Sequence, residues 1–342
     1  MRRASGVRQR GLALITVLLI FAIVSMLAVA MIDRQSTDVQ RSGTMLALQQ
    51  ARSYVFGAEQ AVKTGLYLDW KNDKEIDHLN EEWAQERTFP LSPGLARISI
   101  ADAMGRFNLN SLSVAASNKA TQKIRFTNLL NMLGLDIALA DTLSRWMDET
   151  SQDDDRYQSM EPPYKAAYQG CKHSSELLLL EGMDMVSFRK LEPYVACLPI
   201  TAQLNVNTAS AMVLASLDAG LSLADGEAIF SARGDKGFKT VDDFWSLSQI
   251  EPFTRNNDNN GNTNTPVSDA PVTKARWDKT DFSVKSEYFE IFIRVELGDR
   301  IATGEALIKR DNNDGRMTTL YRDYSRREAK REPESTQPGM TQ

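Results

Sequence analysis

Residues Leu12 to Ile32 read LALITVLLIFAIVSMLAVAMI, 21 consecutive positions without a charge and with only Thr16 and Ser25 polar. As a helix this run is about 30 Å long, the thickness of one hydrocarbon core. No other feature constrains the chain so strongly, because the run ties whatever follows it to a membrane. Arg2, Arg3, Arg8 and Arg10 stand before it, and Asp33 and Arg34 after it. Basic flanks stay on the cytoplasmic side. The expectation is a single-pass chain with a short cytoplasmic N-terminus and nearly all its mass exported.

Three readings of the segment compete. A cleaved secretory signal would use Ala28-Val29-Ala30 as its A-x-A site. The apolar run, however, exceeds the roughly 7 to 15 residues of a signal core, and the helical pattern continues past that site. A twin-arginine signal would start at Arg2-Arg3, but Ala4-Ser5-Gly6 follows, without an apolar partner. The third reading turns on Arg10-Gly11-Leu12. A short basic leader ending in Gly, followed at once by an apolar helix, resembles the class III leader of type IV pilins and type II secretion pseudopilins. That resemblance implies that a membrane prepilin peptidase cuts after Gly11, releasing a leader of residues 1–11, and methylates the new N-terminus at Leu12. The membrane helix 12–32 is then retained. Thr16 occupies the fifth mature position, where most of that family carries Glu. A carboxylate buried there needs a partner, which in these filaments is thought to be the α-amino group of a neighbouring subunit. A subunit lacking it suits a place where that neighbour is missing.

Past the membrane run, Val39, Leu46, Phe56, Ala58, Val62 and Leu66 recur without any Pro, which predicts an amphipathic continuation to about Leu68. The result would be a rod of about 85 Å, half in the bilayer and half packed on a domain. A plain anchor followed by a separate helix is the alternative. Residues 71–94 read as a polar loop and Leu95–Ala101 as a short strand. Near the other end Tyr288–Leu297, Ala302–Lys309 and Met317–Tyr324 form a three-stranded meander, turned at Gly298-Asp299 and Asn313-Asp314-Gly315. The early strand can join it. Between about 111 and 280 the pattern is helical, as expected of an all-α domain inserted into a sheet domain. Residues 33–110 then carry the rest of the long helix and the first strand, 281–325 the last strands, and 326–342 a loose, disordered tail. Phe107-Asn108-Leu109-Asn110-Ser111 and Leu204-Asn205-Val206-Asn207-Thr208 repeat one pattern, in which Asn or hydroxyl side chains can cap a following helix.

With 40 Lys+Arg against 45 Asp+Glu, phosphate neutralisation is a poor basis for function. The stretch Leu204–Phe244 nonetheless resembles the helix-hairpin-helix units of exported DNA-uptake proteins, which point hairpin N–H groups at phosphate. Here Ala219-Gly220-Leu221-Ser222 has one Gly where that hairpin has two, and few basic residues precede Arg233. No nucleophile elbow, Walker loop, dinucleotide fingerprint or zincin motif occurs. His173 beside Cys171 lacks a third, orienting group, so no enzyme is expected. Cys171 and Cys197 are an even pair in an exported body, and one disulfide is the natural inference, with two free thiols as the alternative. The acidic run Asp148, Glu149, Asp153, Asp154, Asp155 offers hard oxygen donors of the kind Ca²⁺ takes, or is a solvated loop. Asn256–Val267 mimics a calcium loop but ends in Val where a bidentate Glu is needed.

Taken whole, residues 8 to 325 resemble the protein K family, the large minor pseudopilins of type II secretion. The likeness is carried by Trp83-Ala84, Phe89-Pro90-Leu91, Phe107-Asn108-Leu109-Asn110, Trp146 with Asp148, Tyr157, Ser175-Glu176-Leu177, Leu204 to Ala209, Asp243-Phe244 and Ser286 to Phe289. Thr16 is itself a family mark. The resemblance implies an α+β, pilin-like fold: a long N-terminal helix packed on a small antiparallel sheet, with a SAM-like or helix-hairpin-helix-like domain inserted. It also implies a heterotrimeric tip complex with two other minor pseudopilins on a filament of major pseudopilin, built from an inner-membrane assembly platform. That filament helps move folded proteins across the outer membrane. Calcium in the insertion is implied too, with Asp148, Asp154 and Asp155 matching best. A minor pilin of a type IV pilus, active in adhesion or DNA uptake, is the alternative.

Overall fold

The structure is a computed structural model that describes residues 10–151, 154–255 and 275–324, apart from the side chains of residues 10–12 and Asp154. Its first element is one continuous helix, α1 (Arg10–Asn72), about 95 Å long at the helical rise. The membrane run and its continuation are therefore one rod and not two helices. Its packed part is shorter than the sequence suggests: no residue between Ala13 and Gln50 is buried. From Ala51 onward Ala51, Val55, Val62 and Leu66 turn to one side and vanish into a core. The reason lies in residues 33–42, where Asp33, Arg34, Asp38 and Arg41 are spread around the helix and leave no apolar stripe to bury.

That core is shared with a five-stranded antiparallel sheet of β1 (Arg87–Leu91), β2 (Gly94–Asp102), β7 (Tyr288–Leu297), β8 (Arg300–Arg310) and β9 (Met317–Asp323), in the order β1-β2-β7-β8-β9. Strand β7 explains the arrangement. Phe289, Ile291, Ile293, Val295 and Leu297 alternate toward α1 and are buried, as a sheet with one covered face requires. Ala96 and Ile98 of β2 and Ala306 and Ile308 of β8 extend the same face. The meander is as expected, and the early strand does join it beside β7. The loop reading of 71–94 is corrected in its last part: Arg87–Leu91 is an edge strand paired with β2. Pro90 disguises it in the sequence, but Pro is tolerated on an edge, where one side of the strand has no donors to supply.

Everything between β2 and β7 is the insertion. It holds α2 (Lys119–Met132), α3 (Leu139–Trp146), α4 (Asp154–Gln158), α5 (Met185–Leu191), α6 (Ala211–Ala215), α7 (Leu223–Ala232), α8 (Val241–Trp245) and α9 (Glu251–Thr254). It is not purely helical: β3 (Phe107–Asn108) pairs in parallel with β4 (Val195–Ala196), and β5 (Leu204–Asn205) with β6 (Phe282–Ser283). Two separate cores result, one around Phe126, Trp146 and Tyr157, the other around Val213, Phe244 and Trp277. Both leave the sheet at the end where β2 stops and β7 begins, beside the C-terminal end of α1. The bulk of the insertion therefore lies at the end of the molecule remote from the apolar half of the rod. The expected tail, 326–342, and the calcium-loop mimic at Asn256–Val267 lie outside the described residues.

Candidate functional site

The Asn repeat turns out to be the framework of the insertion. Asn108 Oδ1 accepts the Asn110 N–H and Asn205 Oδ1 the Asn207 N–H, and the Ser111 hydroxyl donates back to the Asn108 carbonyl. The second Asn of each motif clamps a distant main chain. Asn110 accepts from the Cys171 N–H at 2.7 Å and donates to the carbonyls of Cys171 and Leu198; Asn207 accepts from the Phe238 N–H at 2.6 Å and donates to the Phe238 carbonyl. Each clamped residue follows a Gly whose absent side chain makes room: a Cβ on Gly170 would lie 2.8 Å from Asn110, and one on Gly237 2.7 Å from Asn207. The helix-capping expectation thus becomes something larger, two modules of one design.

A matched pair of substitutions tests the clamp. Gly237 has φ +68° and Gly234 φ +56°, but the space around Gly234 is open. Gly234→Ala should cost only the left-handed backbone term, about 1–2 kcal/mol. Gly237→Ala should cost roughly 2–4 kcal/mol, because it also displaces a buried, doubly bonded amide. Urea unfolding of the two variants reads the difference, and equal losses would reject the clamp.

Cys171 and Cys197 form the expected disulfide, with Cα atoms 5.5 Å apart. It joins the two segments that Asn110 already holds. His173, two residues on, caps the turn Ser174–Leu179 and reaches Glu305 of β8 at 3.0 Å, so its role is to tie the insertion to the sheet. Tyr321 donates to Glu290 and Glu305, and Arg106 pairs with Glu290 at 2.6 Å, across the same joint.

The deepest polar cluster at this joint has no signature in the sequence. Asp102, at the end of β2, is buried and accepts from Ser286 Oγ, Thr208 Oγ1, Asn205 Nδ2 and the Met104 N–H. Burial pushes its carboxyl up to about 6 despite those bonds. Beside it Asp69, Asp77 and Glu81 bring carboxylate oxygens within 4.8 Å of one another. Arg310 of β8 pairs with Asp77 and, at 3.3 Å, with Asp69, and donates to the Ser286 carbonyl. Burial and then the neighbouring Asp77 push Asp69 to about 6. Burial, followed by Asp69 and Asp77, outweighs the Trp83 and His78 N–H bonds and takes Glu81 to about 7. Arg310 lies 233 and 241 residues from its carboxylate partners along the chain, which explains why no motif announces the cluster.

These shifts set a pH dependence. A carboxyl raised in the fold keeps a proton that the unfolded chain has released, so its stabilisation is full below about pH 4 and is lost as pH rises through 6 to 7. Glu59 acts oppositely. Burial would raise it, but Arg322, Lys63 and Thr319 together hold it at about 2, so its contribution is present above pH 4.5 and disappears toward pH 2. The urea midpoint of the solubilised protein should therefore be highest near pH 4 and fall toward pH 7, with Glu81→Gln flattening the fall. A midpoint climbing steadily from pH 4 to 7 would contradict this assignment.

Gly11 and Leu12 lie in the first turn of α1, and residues 1–9 of the leader are outside the described residues. Thr16 Oγ1 donates to the Ala13 carbonyl at 2.9 Å, within its own helix. Asp148 Oδ1 accepts from both the N–H and the hydroxyl of Thr150, which hold its carboxyl below the usual range. Glu149 and Asp155 are exposed on the same loop; Asp153 and the side chain of Asp154 lie outside the described residues. Trp146, before the loop, meets Tyr157 and Tyr164, after it, edge to face, and the two tyrosine rings tilt against each other. Among the described residues of this run only Asp148, Glu149 and Asp155 present carboxylates, and one oxygen of Asp148 is already taken by Thr150. In the hairpin that resembles DNA-uptake units, the Gly220 N–H is taken by Asp218 Oδ1, so a carboxylate stands where a phosphate would bind. Arg233 is buried and donates to the carbonyls of Val206 and Asn207.

A long, half-bare N-terminal helix laid on a small antiparallel sheet, with a two-module helical domain inserted at the far end, defines a pilin-like protein with an insertion. Models of the family described as type II secretion system protein K match residues 105–200 and 204–263. The type II secretion system protein K of Pseudomonas aeruginosa PAO1 is 34% identical over 92% of both chains, and that of Aeromonas hydrophila 30% identical over 92% of this chain and 97% of its own. A crystal structure of the GspK-GspI-GspJ complex from the type 2 secretion system of enterotoxigenic Escherichia coli contains a chain with TM-score 0.69 and 25% identity, covering 84% of this chain and all of its own. The chain belongs to the type II secretion system protein K family.

Proposed function

We propose that this protein is a non-enzymatic minor pseudopilin at the tip of the type II secretion pseudopilus. The observation that carries the reading is the position of the insertion. It sits at the end of the sheet opposite the apolar half of α1, where its bulk blocks further subunits from stacking above. Thr16 fits the same place, since a topmost subunit has no neighbour above whose α-amino group a carboxylate would need to meet. Two other minor pseudopilins assemble with it, as in the related GspK-GspI-GspJ complex, and the bare stretch 33–50 of α1 is free to pack among their helices. Major pseudopilin continues the filament below, on the inner-membrane platform. The chain is held in the inner membrane by residues 12–32, with its bulk in the periplasm, after prepilin peptidase has cut at Gly11 and methylated Leu12.

The mass of the mature protein from membranes tests the first step: methylated Leu12 is expected at the N-terminus, and Met31 would reject the reading. Deleting the gene should stop export of folded enzymes while twitching and transformation continue. The reverse pattern would assign the chain to a type IV pilus. The acidic loop is proposed to hold Ca²⁺ through Asp148, Glu149, Asp153, Asp154 and Asp155. At a tenfold excess over Kd the ion would add about 1.4 kcal/mol, visible as a higher Tm in millimolar Ca²⁺ than in chelator. Asp148→Asn should remove most of that shift, and identical Tm values for the wild type in the two buffers would exclude the site.

A further inference from the structure

Between the two modules of the insertion lies an open cleft of about 460 Å³, within the range of ligand sites and at an inter-domain position where such sites concentrate. One wall comes from the first module through Ser111, Asn118 and Gln122, the other from the second through Leu204, Ser216 and Leu217. The connecting segment Leu198–Gln203 crosses between them. We propose that this cleft binds an extended, uncharged peptide segment of a second polypeptide.

Three observations select that chemistry. The charges at the cleft are already neutralised: Arg125 pairs with Asp281 at 2.8 Å and Arg106 with Glu290 at 2.6 Å. A phosphate or a charged peptide would have to break a pair that is largely buried, at a cost of several kcal/mol. The ring of Phe107 is buried in the core of the first module, so among the described residues the cleft offers no exposed aromatic platform for a sugar ring. What it does offer is the Gln122 amide and the amide oxygens of Asn118 and Gln203, whose NH₂ groups are held by Asp281 and the Thr280 carbonyl, interspersed with small apolar surface and main chain. Among the described residues, the N–H groups of Ile200 and Thr201 and the carbonyls of Ile200 to Ala202 make no hydrogen bond to protein. The Gln122 amide, which can both donate and accept, beside those amide oxygens and the unpaired main chain of residues 200–202, matches the alternating donors and acceptors of an extended peptide. This binding is independent of where the subunit sits in the filament.

The test places the photo-crosslinker p-benzoylphenylalanine at Gln122 or Ile200 in the full-length protein, in cells of the secreting strain, with exposed Lys190 as a control position outside the cleft. After irradiation, both cleft positions should attach to the same segment of one other polypeptide, and mass spectrometry should find that segment free of Lys, Arg, Asp and Glu. Filling the mouth of the cleft with Ser117→Trp, or with Ala115→Trp if the first lowers the melting temperature, should cut the Ile200 adduct at least tenfold. Adducts no stronger than at Lys190, adducts on a charged segment, adducts of saccharide mass, or indifference to the tryptophan would each overturn the proposal.

Discussion

Arg310→Met should destabilise the solubilised protein by roughly 3–5 kcal/mol, a fall in Tm on the order of 10 °C for a domain of this size. The side chain is 2% exposed, lies 4.6 Å over the Phe289 ring, and is the partner of Asp77 and Asp69 and of the Ser286 carbonyl. Methionine keeps most of the stem and removes the charge, so the loss reports the buried carboxylates left behind more than a cavity. Two corollaries separate this account from a packing defect. The loss should be smaller at pH 5 than at pH 8, because Asp69 and Glu81 can then take up protons. Adding Asp77→Asn should recover part of the stability, since it removes the charge that had lost its partner. Thermal and urea unfolding at the two pH values measure both, and a loss below about 1 kcal/mol that does not depend on pH would remove Arg310 from the centre of the joint.

The second large effect concerns the bridge. Opening Cys171–Cys197 by a Cys197→Ser substitution should cost about 3.5 kcal/mol on the chain-entropy model for its 26-residue separation. The loss should be local before it is global. Asn110 still clamps the Cys171 main chain, so the first module should loosen while the sheet keeps its own core. Hydrogen exchange resolves this: amides of residues 107–112 and 171–179 should lose protection, and those of β7 and β8 should keep it. Uniform loss across the sheet would mean that the modules and the pilin-like body unfold as one unit.

Legibility in the sequence follows the range of the interaction. The alternation in Tyr288–Leu297 and the turn at Asn313-Asp314-Gly315 are readable because pleat and hairpin are local, with partners a few residues away. The Asn repeat is visible as a pattern, but its purpose is only half legible: the capping half is local, whereas Asn110 reaches Cys171 and Asn207 reaches Phe238. Strand β1 is hidden because Pro90 reads as a breaker, and only its edge position makes it acceptable. The bare middle of α1 looks like a packing surface in the sequence because Val39 and Leu46 are apolar, yet they are out of phase with Ala51, Val55 and Leu66. Both are more than 60% exposed in the fold.

By itself, the sequence determined that the uncharged run Leu12–Ile32 is long and apolar enough to span a membrane, that the segments flanking the insertion supply a sheet, and that the chain carries two thiols able to pair. Each follows from transfer energy, periodicity or covalent chemistry carried by neighbouring residues. Only the tertiary structure decided that Asp69, Asp77 and Glu81 would share Arg310, that His173 would fasten the insertion to Glu305, and that the two Asn modules would leave a cleft between them. Those features depend on which surfaces meet once the sheet has closed over α1, and on the burial that follows, which no local pattern encodes.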